Sequence, residues 1–263
     1  MSIAITSSYL EQLSQDLMPA IYEAGAVIME IHQRQIATKI KPDGSPVSEA
    51  DEAAEAILLP ALAKFAPDIP VVSEENAASH KLDASPLFFL VDPIDGTKEY
   101  LKPDGQGSFT VNIGLVQNGM PVMGLVYAPA FDDLYVGIVG HQAFKISGSH
   151  KTALKVRDVP ETGVVAVASA SHRDETTNSW LAMHKIEQTR SIGSSLKFCL
   201  LADGKADVYP RFAPTMEWDT AAGDAVLRAA GGLVMTPDYK PYPYGKQDYR
   251  NDDFIATGKW SPS

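Results

Sequence analysis

The spacing of the apolar residues changes near residue 70, and this change restricts the possible architecture of the chain more than any other feature. Before it, apolar side chains recur at steps of three and four residues, at Leu10, Leu13, Leu17, Ala20, Ile21, Ala24, Ile28 and Ile31. This pattern predicts a helix with one buried stripe, which Ser8 and Glu11 would begin as a capping box. A second helix is predicted over about 48–65. Pro19 predicts a kink in the first helix or the first turn of a new one, and Pro60 predicts a kink or an early end in the second.

After residue 70, short apolar runs bounded by turn residues predict strands, at 71–72, 87–91, 110–116, 122–127 and 134–138. Asn118–Gly119 lies between two of these runs and predicts a hairpin. Further along, predicted strands (164–169, 188–191, 206–209, 233–235, 253–257) alternate with predicted helices (174–185, 195–203, 218–230). Such alternation is typical of an α/β layer. We therefore expect a layered α/β sandwich in the order helices, largely antiparallel sheet, helices, second sheet, helices.

The pattern is interrupted between about 145 and 160, by Ser147–His150 and by Pro160. Such clusters of small, polar and proline residues commonly separate structural units. We predict an amino-terminal part over 1–150 and a carboxy-terminal part over 151–263, joined in one compact unit.

Composition excludes several classes of function. The 263 residues include 22 Lys and Arg against 33 Asp and Glu, a net charge of −11, which disfavours binding to nucleic acid. A small phosphorylated substrate stays possible, because a cation can bridge two anionic groups. The single cysteine, Cys199, is typical of a reducing compartment. No secretory signal and no apolar run of about 18 residues is found, so we expect a soluble cytoplasmic protein without a transmembrane segment. Oligomeric state cannot be deduced.

The segment Phe88–Thr97 is the most informative about chemistry. Asp92 is predicted to end a buried strand, Pro93 and Gly96 to form a tight turn, and Thr97 to open a helix. The carboxylates of Asp92 and Asp95 can therefore converge on one point, to which the free N–H groups of the helix start also point. This arrangement is favourable only if a cation neutralises the acids. The alternative is structural, with Asp92 as a turn residue and Asp95 as a helix N-cap.

Three more acids strengthen the case for a site. Glu74 follows a short buried strand, Asp219 starts a helix of small residues, and Asp51 lies near the start of the second helix. Each has an ordinary alternative, as a solvated loop residue or a capping residue. Glu74, Asp219 and the two acids of the turn nevertheless all fall at the ends of apolar elements, where sites on α/β scaffolds are usually built.

The candidate ligands are all oxygen atoms, which indicates a hard cation. None of the six histidines forms a zinc motif with another. Mg²⁺ is the expected ion and Mn²⁺ its expected substitute. Carboxylates, Mg²⁺ and phosphate-binding amides together indicate phosphoryl chemistry at a multi-metal site. In such a site the Thr97 hydroxyl would lie beside the attacking water, and Asp51 would accept its proton. A Walker loop and a G-x-S-x-G elbow are both absent from the sequence.

These motifs occur in an order that resembles a known superfamily, namely Asp51, Ser73–Glu75, Asp92–Thr97, Trp218–Asp219 and Gly231–Gly232. The chain is similar over about residues 42–232 to the lithium-sensitive, magnesium-dependent phosphomonoesterases. This superfamily includes inositol monophosphatase, fructose 1,6-bisphosphatase and the 3′(2′),5′-bisphosphate nucleotidases. The resemblance implies a five-layer αβαβα sandwich of the inositol monophosphatase and fructose-1,6-bisphosphatase type.

Within the superfamily, Lys98–Tyr100, Phe109–Ile113 and Tyr209–Gly223 resemble the bacterial 3′(2′),5′-bisphosphate nucleotidases. This implies hydrolysis of 3′-phosphoadenosine 5′-phosphate to AMP and phosphate, with 3′-phosphoadenosine 5′-phosphosulfate as a second candidate substrate, in sulfate assimilation. It also leaves open a peripheral position at the cytoplasmic face of the inner membrane, where some members are described. The alternatives are an inositol or sugar monophosphatase on the same scaffold and a non-catalytic protein that binds a phosphorylated ligand.

The resemblance also implies roles for individual residues. The metal ligands would be Glu74, Asp92, the Ile94 carbonyl, Asp95 and Asp219, holding two or three Mg²⁺ ions, with Li⁺ as an inhibitor. The N–H groups of Gly96 and Thr97 would bind the phosphate that is removed. Thr97, Asp51 and Glu74 would form the catalytic set around the attacking water.

The second phosphate and the sugar of such a substrate need further contacts. Lys197 and His172 are the first candidates, because a dianionic group usually recruits basic side chains, and Arg211 is a third. The remaining predicted substrate contacts are Lys98, Ser171, Ser195 and Asp219. The alternatives are a solvated lysine, a surface histidine and an arginine that serves only in ion pairs.

Overall fold

The computed structural model describes residues 5–34, 39–40, 46–47, 49–82, 85–101, 107–169 and 174–261. Its α-helices are α1 (Ser7–Gln33), α2 (Glu49–Phe65), α3 (Thr97–Tyr100), α4 (Glu175–Met183), α5 (Leu196–Ala202) and α6 (Ala221–Ala229). Its strands are β1 (Lys39–Ile40), β2 (Pro46–Val47), β3 (Val71–Ser73), β4 (Leu87–Asp95), β5 (Thr110–Gln117), β6 (Met120–Ala128), β7 (Asp133–Ile138), β8 (Gln142–Ser147), β9 (His150–Ala153), β10 (Val165–Ser169), β11 (Gln188–Ile192), β12 (Val208–Arg211), β13 (Thr215–Met216), β14 (Leu233–Met235), β15 (Arg250–Asn251) and β16 (Phe254–Thr257). Across these ranges, none of the helices has the length and apolar character needed to cross a membrane.

The two amino-terminal helices differ from the prediction in detail. The N-cap of α1 is Thr6, whose side chain accepts the N–H three residues further on at 3.1 Å, so the capping box at Ser8 and Glu11 is wrong. Pro19 and Pro60 lie inside α1 and α2, and neither proline ends its helix. The buried stripes continue past both positions, and their packing outweighs the loss of one backbone hydrogen bond.

A seven-stranded sheet has the order β3-β4-β5-β6-β7-β8-β9. The β3–β4 pair is parallel and every other pair is antiparallel, as the prediction of a largely antiparallel sheet requires. The hairpin between β5 and β6 is confirmed, because Asn118 and Gly119 take positive φ angles of 50° and 76°.

Strand β4 continues past Asp92, where the sequence predicts its end. It continues to Asp95, and its pairing with β5 shifts register between the two acids. Pro93 is accommodated at this β-bulge rather than in a turn. The turn comes one residue later, at Gly96, whose φ of 92° favours glycine.

A second sheet of five strands has the order β11-β10-β12-β16-β14 and mixes parallel and antiparallel pairs. Helices α1 and α2 cover the outer face of the first sheet. Helices α5 and α6 lie between the two sheets, and α4 covers the outer face of the second. The predicted five-layer αβαβα order is confirmed. Helices α5 and α6 contact both sheets, so the two predicted parts of the chain pack against each other. The division into 1–150 and 151–263 stays a prediction.

A row of three glycines brings α6 against the first sheet. Gly114, Gly124 and Gly137 stand opposite one another on β5, β6 and β7. A Cβ atom at these positions would come within 2.8, 2.1 and 2.4 Å, respectively, of backbone atoms of Ala222 and Val226. Helix α6 can approach the sheet this closely only because the row has no side chains. The row therefore fixes the start of α6, which directly follows the candidate acid at position 219.

Candidate metal and phosphate site

Three of the predicted acids come together in the structure. Glu74, Asp92 and Asp219 each offer a carboxylate oxygen, and these oxygens lie within 4.8 Å of one another. Glu74 directly follows β3, and Asp219 ends the 3₁₀ turn Glu217–Asp219 before α6. The parallel pairing of β3 with β4 and the close packing of α6 bring these distant segments to one point.

Asp92 is the buried member of this group, with 1% of its surface exposed. Among the described residues, neither of its carboxylate oxygens has a hydrogen-bond partner. Burial raises the pKa of Asp92 well above its usual value, and Glu74, Asp95, Asp219 and Asp51 raise it further. A buried carboxylate without partners is strongly unfavourable, and a divalent cation would compensate it. The residues present therefore fit a metal ion, and this acidic group could hold one.

Asp219 and Asp95 occupy different electrostatic surroundings. Burial raises the pKa of Asp219 well above its usual value, with Asp95 and Glu74 adding to the effect, although the Met216 N–H donates to its carboxylate at 2.8 Å. Burial raises the pKa of Asp95 to about 6, and Lys197 opposes this rise. Asp95 therefore stands between the acidic group and a basic one.

The turn after β4 lies at the edge of the acidic group. The Thr97 hydroxyl donates to the Ile94 carbonyl oxygen at 3.2 Å, and Gly96 precedes the single turn of α3. Asp51 is buried in the first turn of α2, and its charge contributes to the raised pKa of Asp92. The structure thus brings Asp51 into the electrostatic range of the acids. Its predicted capping partner, Ser48, lies outside the described residues.

A cleft of about 270 Å³ opens over these groups. Its lining includes Glu74, Asp95 and Asp219, which we call the acidic wall, and Lys197 and Arg211, which we call the basic wall. A cleft that contains both acids and cations suits a ligand with two anionic groups, provided that a cation neutralises the acidic wall.

Both basic side chains are held by backbone carbonyl groups. Lys197 is 5% exposed, and its Nζ donates to the Ser194 carbonyl oxygen at 2.6 Å. Burial lowers the pKa of Lys197 to about 8, against the opposing attraction of Asp95. Arg211 donates from Nε to the Ala213 carbonyl oxygen at 3.0 Å and from Nη2 to that of Pro214 at 3.2 Å. These bonds fix the positions of the two charges.

The model of the inositol monophosphatase family matches residues 10–262 of the chain. The chain belongs to this family. It is 41% identical over 242 residues to the 3′(2′),5′-bisphosphate nucleotidase CysQ of Salmonella typhimurium, covering 89% of this chain and 95% of that protein. The nucleotidase CysQ of Escherichia coli K12 is 41% identical over 235 residues, covering 88% and 94%. The crystal structure of CysQ from Bacteroides thetaiotaomicron, a bacterial member of the same family, superposes with a TM-score of 0.80 at 36% identity, covering 99% and 100%.

Not every predicted substrate contact is placed in the cleft of this family member. Lys98, which is exposed, lines the cleft. Gly96 and Thr97 also line it. The Ser195 side chain is buried and forms hydrogen bonds with Asn112 and Thr110 instead. Ser171 and His172 lie outside the described residues. Their roles in substrate binding stay predictions.

Several residues at the cleft were missed by the sequence analysis. Glu99, Ser194 and Tyr209 line it. Glu99 is buried and packs closely on Gly193, where a Cβ atom would lie 2.7 Å from its Cγ. Each of them directly adjoins or lies within two residues of a predicted site residue, namely Lys98, Ser195 and Arg211, and this proximity is the signal that could have found them.

Proposed function

We propose that this chain is a Mg²⁺-dependent 3′(2′),5′-bisphosphate nucleotidase, which converts 3′-phosphoadenosine 5′-phosphate to AMP and phosphate. One observation carries the proposal. Lys197 and Arg211 line the same cleft as Glu74, Asp95 and Asp219, next to Asp92, whose carboxylate oxygens have no hydrogen-bond partner among the described residues. A substrate with two phosphates could place one on each wall. The relatives that bear the name of this activity are 41% identical over nearly their whole length, which supports the same choice.

The acidic wall would hold the metal. We assign Glu74, Asp92, Asp95, Asp219 and the Ile94 carbonyl as ligands of two or three Mg²⁺ ions, with Mn²⁺ as a substitute and Li⁺ as an inhibitor. When bound, such ions neutralise the acids, lower the pKa of a coordinated water and stabilise the leaving oxygen.

The turn after β4 would position the phosphate and the water. We assign the N–H groups of Gly96 and Thr97 to the 3′-phosphate. The Thr97 hydroxyl donates its proton to Ile94, so its lone pairs are oriented to accept a hydrogen bond from the attacking water. Asp51 would take the proton of that water, with Glu74 completing the catalytic set. The water oxygen then bonds to phosphorus as the bond to the 3′-oxygen breaks.

The basic wall would bind the rest of the substrate. Lys197 and Arg211 are assigned to the 5′-phosphate, because both are buried cations with fixed positions. Lys98, Ser171 and His172 remain further candidates. A 5′-phosphosulfate would present similar oxygens to this wall, so 3′-phosphoadenosine 5′-phosphosulfate is proposed as a second substrate. We place both reactions in the cytoplasm, in sulfate assimilation. Nothing in the described residues supports an association with the membrane surface.

A substrate panel tests the proposal. Phosphate release is measured with Mg²⁺ for 3′-phosphoadenosine 5′-phosphate, 3′-phosphoadenosine 5′-phosphosulfate and inositol 1-phosphate. We expect the highest kcat/KM for a nucleotide, inhibition by Li⁺ and activity with Mn²⁺. The Asp92→Asn protein, purified in the same way, controls for contaminating phosphatases. A preference for inositol 1-phosphate would favour the alternative monophosphatase, and no turnover of any compound would favour the non-catalytic alternative.

A further inference from the structure

We infer that Thr110, Asn112 and Ser195 form a positioning ring that sets the metal-binding acids relative to the basic wall of the cleft. This inference rests on the proposed function for the identity of the substrate, but the ring itself is defined by contacts among described residues. Its members come from strand β5 and from the loop that precedes α5, 83 residues further along the chain from Asn112.

The three side chains form a closed circuit of hydrogen bonds. The Ser195 hydroxyl donates to Oδ1 of Asn112 at 2.6 Å, and Nδ2 of Asn112 donates to the Thr110 hydroxyl oxygen at 3.3 Å. The Thr110 and Ser195 hydroxyl oxygens lie 2.8 Å apart. Since the Ser195 proton is already used, Thr110 must donate to Ser195, and each hydroxyl then gives one proton and accepts one. In a buried environment, the hydrogen bonds of such a circuit polarise and strengthen one another.

Two members of the ring pair with the two acids of β4 across the sheet. In the register of the sheet, Asn112 stands opposite Asp92 and Thr110 stands opposite Asp95. The ladder between these two pairs is irregular because of the bulge, so regular backbone hydrogen bonds do not fix their separation there. The third member of the ring also reaches an acid, because the Ser195 N–H donates to the Asp95 carboxylate. The ring thus supplies the connection between Asp92 and Asp95 that the bulge interrupts.

The same ring fixes the basic wall. Ser195 belongs to the loop whose Ser194 carbonyl oxygen accepts the Lys197 ammonium group. Ser194 has a φ of 54°, a left-handed conformation that is unfavourable for a serine and must be held by its surroundings. A displacement of Ser195 would therefore move Lys197 together with the N–H donor to Asp95. The ring is expected to set the distance between the two phosphate-binding walls.

Packing alone does not require these polar side chains. All three are at most 1% exposed. A valine has nearly the volume of threonine, so packing does not require the hydroxyl, although deleting one hydroxyl leaves its buried partners unsatisfied and so lowers stability. We therefore assign the ring to positioning, and the test must separate positioning from stability.

The test uses two variants that each delete one hydroxyl, Thr110→Val and Ser195→Ala. Thr110→Ser keeps the hydroxyl and serves as the rescue variant. Ser14→Ala is the matched control, since Ser14 is also 1% exposed and donates a hydrogen bond, to the Glu11 carbonyl at 2.8 Å, but lies on α1. The first readout needs no turnover and is the Mg²⁺ concentration that gives half of the metal-induced rise in Tm. The second is kcat and KM for 3′-phosphoadenosine 5′-phosphate and for p-nitrophenyl phosphate, which has a single phosphate.

We expect both hydroxyl deletions to raise the half-saturating Mg²⁺ concentration or lower kcat by about 10- to 100-fold, the range typical of groups that orient metal ligands. Their KM for the bisphosphate should rise, whereas their KM for p-nitrophenyl phosphate should change less. Thr110→Ser should be close to the parental protein. Ser14→Ala should at most lower Tm and should keep the parental Mg²⁺ dependence and kcat.

A lower Tm with parental Mg²⁺ dependence, kcat and KM in Thr110→Val and Ser195→Ala would overturn the inference. If one of them does not fold, the other decides. If neither folds, the ring is a folding element and the inference is also overturned. If the parental protein does not hydrolyse the nucleotide, the proposed function fails alone, because the Mg²⁺ titration and p-nitrophenyl phosphate still test the ring.

Discussion

The backbone N–H of Glu74 donates to the carbonyl oxygen of Val91 at 3.1 Å, and this bond places Glu74 beside the next residue of β4, Asp92. The bond extends the parallel pairing of β3 with β4 by one residue. It brings two carboxylates together in the acidic group, where Glu74 raises the pKa of Asp92 after the larger effect of burial. The sheet thus holds like charges against one another, an arrangement that is unfavourable in the absence of a cation.

Asp92→Asn tests whether the negative charge that destabilises the metal-free protein is also required for turnover. The substitution removes the charge and keeps the volume, so we expect the fold to be retained and the metal-free protein to have a higher Tm at neutral pH. Turnover should fall by more than about 100-fold. Loss of a group that only orients a metal ligand can cost about that much, and Asp92 is proposed as a direct ligand. Circular dichroism, thermal unfolding in EDTA and phosphate release check the three outcomes. Near-parental activity at saturating Mg²⁺ would contradict the proposed site.

The acidic group also predicts how pH affects Mg²⁺ binding. Burial raises the pKa values of Asp92 and Asp219 well above the usual value, and that of Asp95 from 3.8 to about 6. The metal-free folded protein therefore keeps protons that the unfolded chain has lost. For Asp95, the contribution of the retained proton to stability is fully present below pH 3.8 and is lost as the pH rises through about 6.

Because Mg²⁺ must displace these protons, its half-saturating concentration should fall as the pH rises from about 5 to about 7. Titrations of Tm with Mg²⁺ at three pH values in this range measure the effect. The Tm in EDTA should move in the opposite direction, decreasing over the same interval, and Asp95→Asn should reduce that decrease. An Mg²⁺ requirement that is constant over this range would argue against the raised pKa values.

Lys197→Met tests the basic wall with a side chain of similar length and no charge. A hydrogen bond to a charged group contributes roughly 1.5–3 kcal/mol, so KM for 3′-phosphoadenosine 5′-phosphate should rise by roughly 10- to 100-fold. In the parental protein, KM should also rise above about pH 8, where Lys197 loses its proton. Lys205→Met, at a lysine that is about half exposed, is the control. An equal loss for p-nitrophenyl phosphate would show that Lys197 does not act on the second phosphate.

The acids of the site could be found from the sequence because each stands at the end of an apolar segment. The end of β4 could not be placed, since Pro93 and Gly96 are compatible with a turn and with a bulge followed by a turn. Only the pairing of Asp92 with Asn112 and of Asp95 with Thr110 distinguishes the two. Local sequence thus identified the residues, whereas their spacing depends on a partner strand.

Contacts between distant segments explain what the sequence analysis missed. Ser195 was predicted to contact the substrate, but its hydroxyl donates to Asn112. The three glycines that receive α6 belong to three different strands, and their alignment depends on the register of two strand pairs. The spacing of residues within one segment does not indicate which residues of other strands it will pair with. The alignment of the three glycines therefore could not be predicted from the sequence.

Gly124→Ala tests whether this glycine row positions the site. A Cβ atom at Gly124 would lie 2.1 Å from the carbonyl oxygen of Ala222, so α6 must move away from β6 or the strand must distort. Overpacking of a core commonly costs about 1–3 kcal/mol, and we expect a value at or above about 3 kcal/mol because the obstacle is backbone. The movement should also displace Asp219, which lies two residues before α6, and raise the half-saturating Mg²⁺ concentration.

Gly258→Ala is the matched control, since its Cβ atom would meet Val156 at 3.4 Å, an ordinary contact distance. Urea unfolding gives the free energy of unfolding of each variant, and Mg²⁺ titration of Tm gives the metal requirement of the molecules that remain folded. If Gly124→Ala were as stable as Gly258→Ala, α6 would not lie against the sheet as closely as described. If it were destabilised but bound Mg²⁺ like the parental protein, the glycine row would support the fold without setting the position of Asp219.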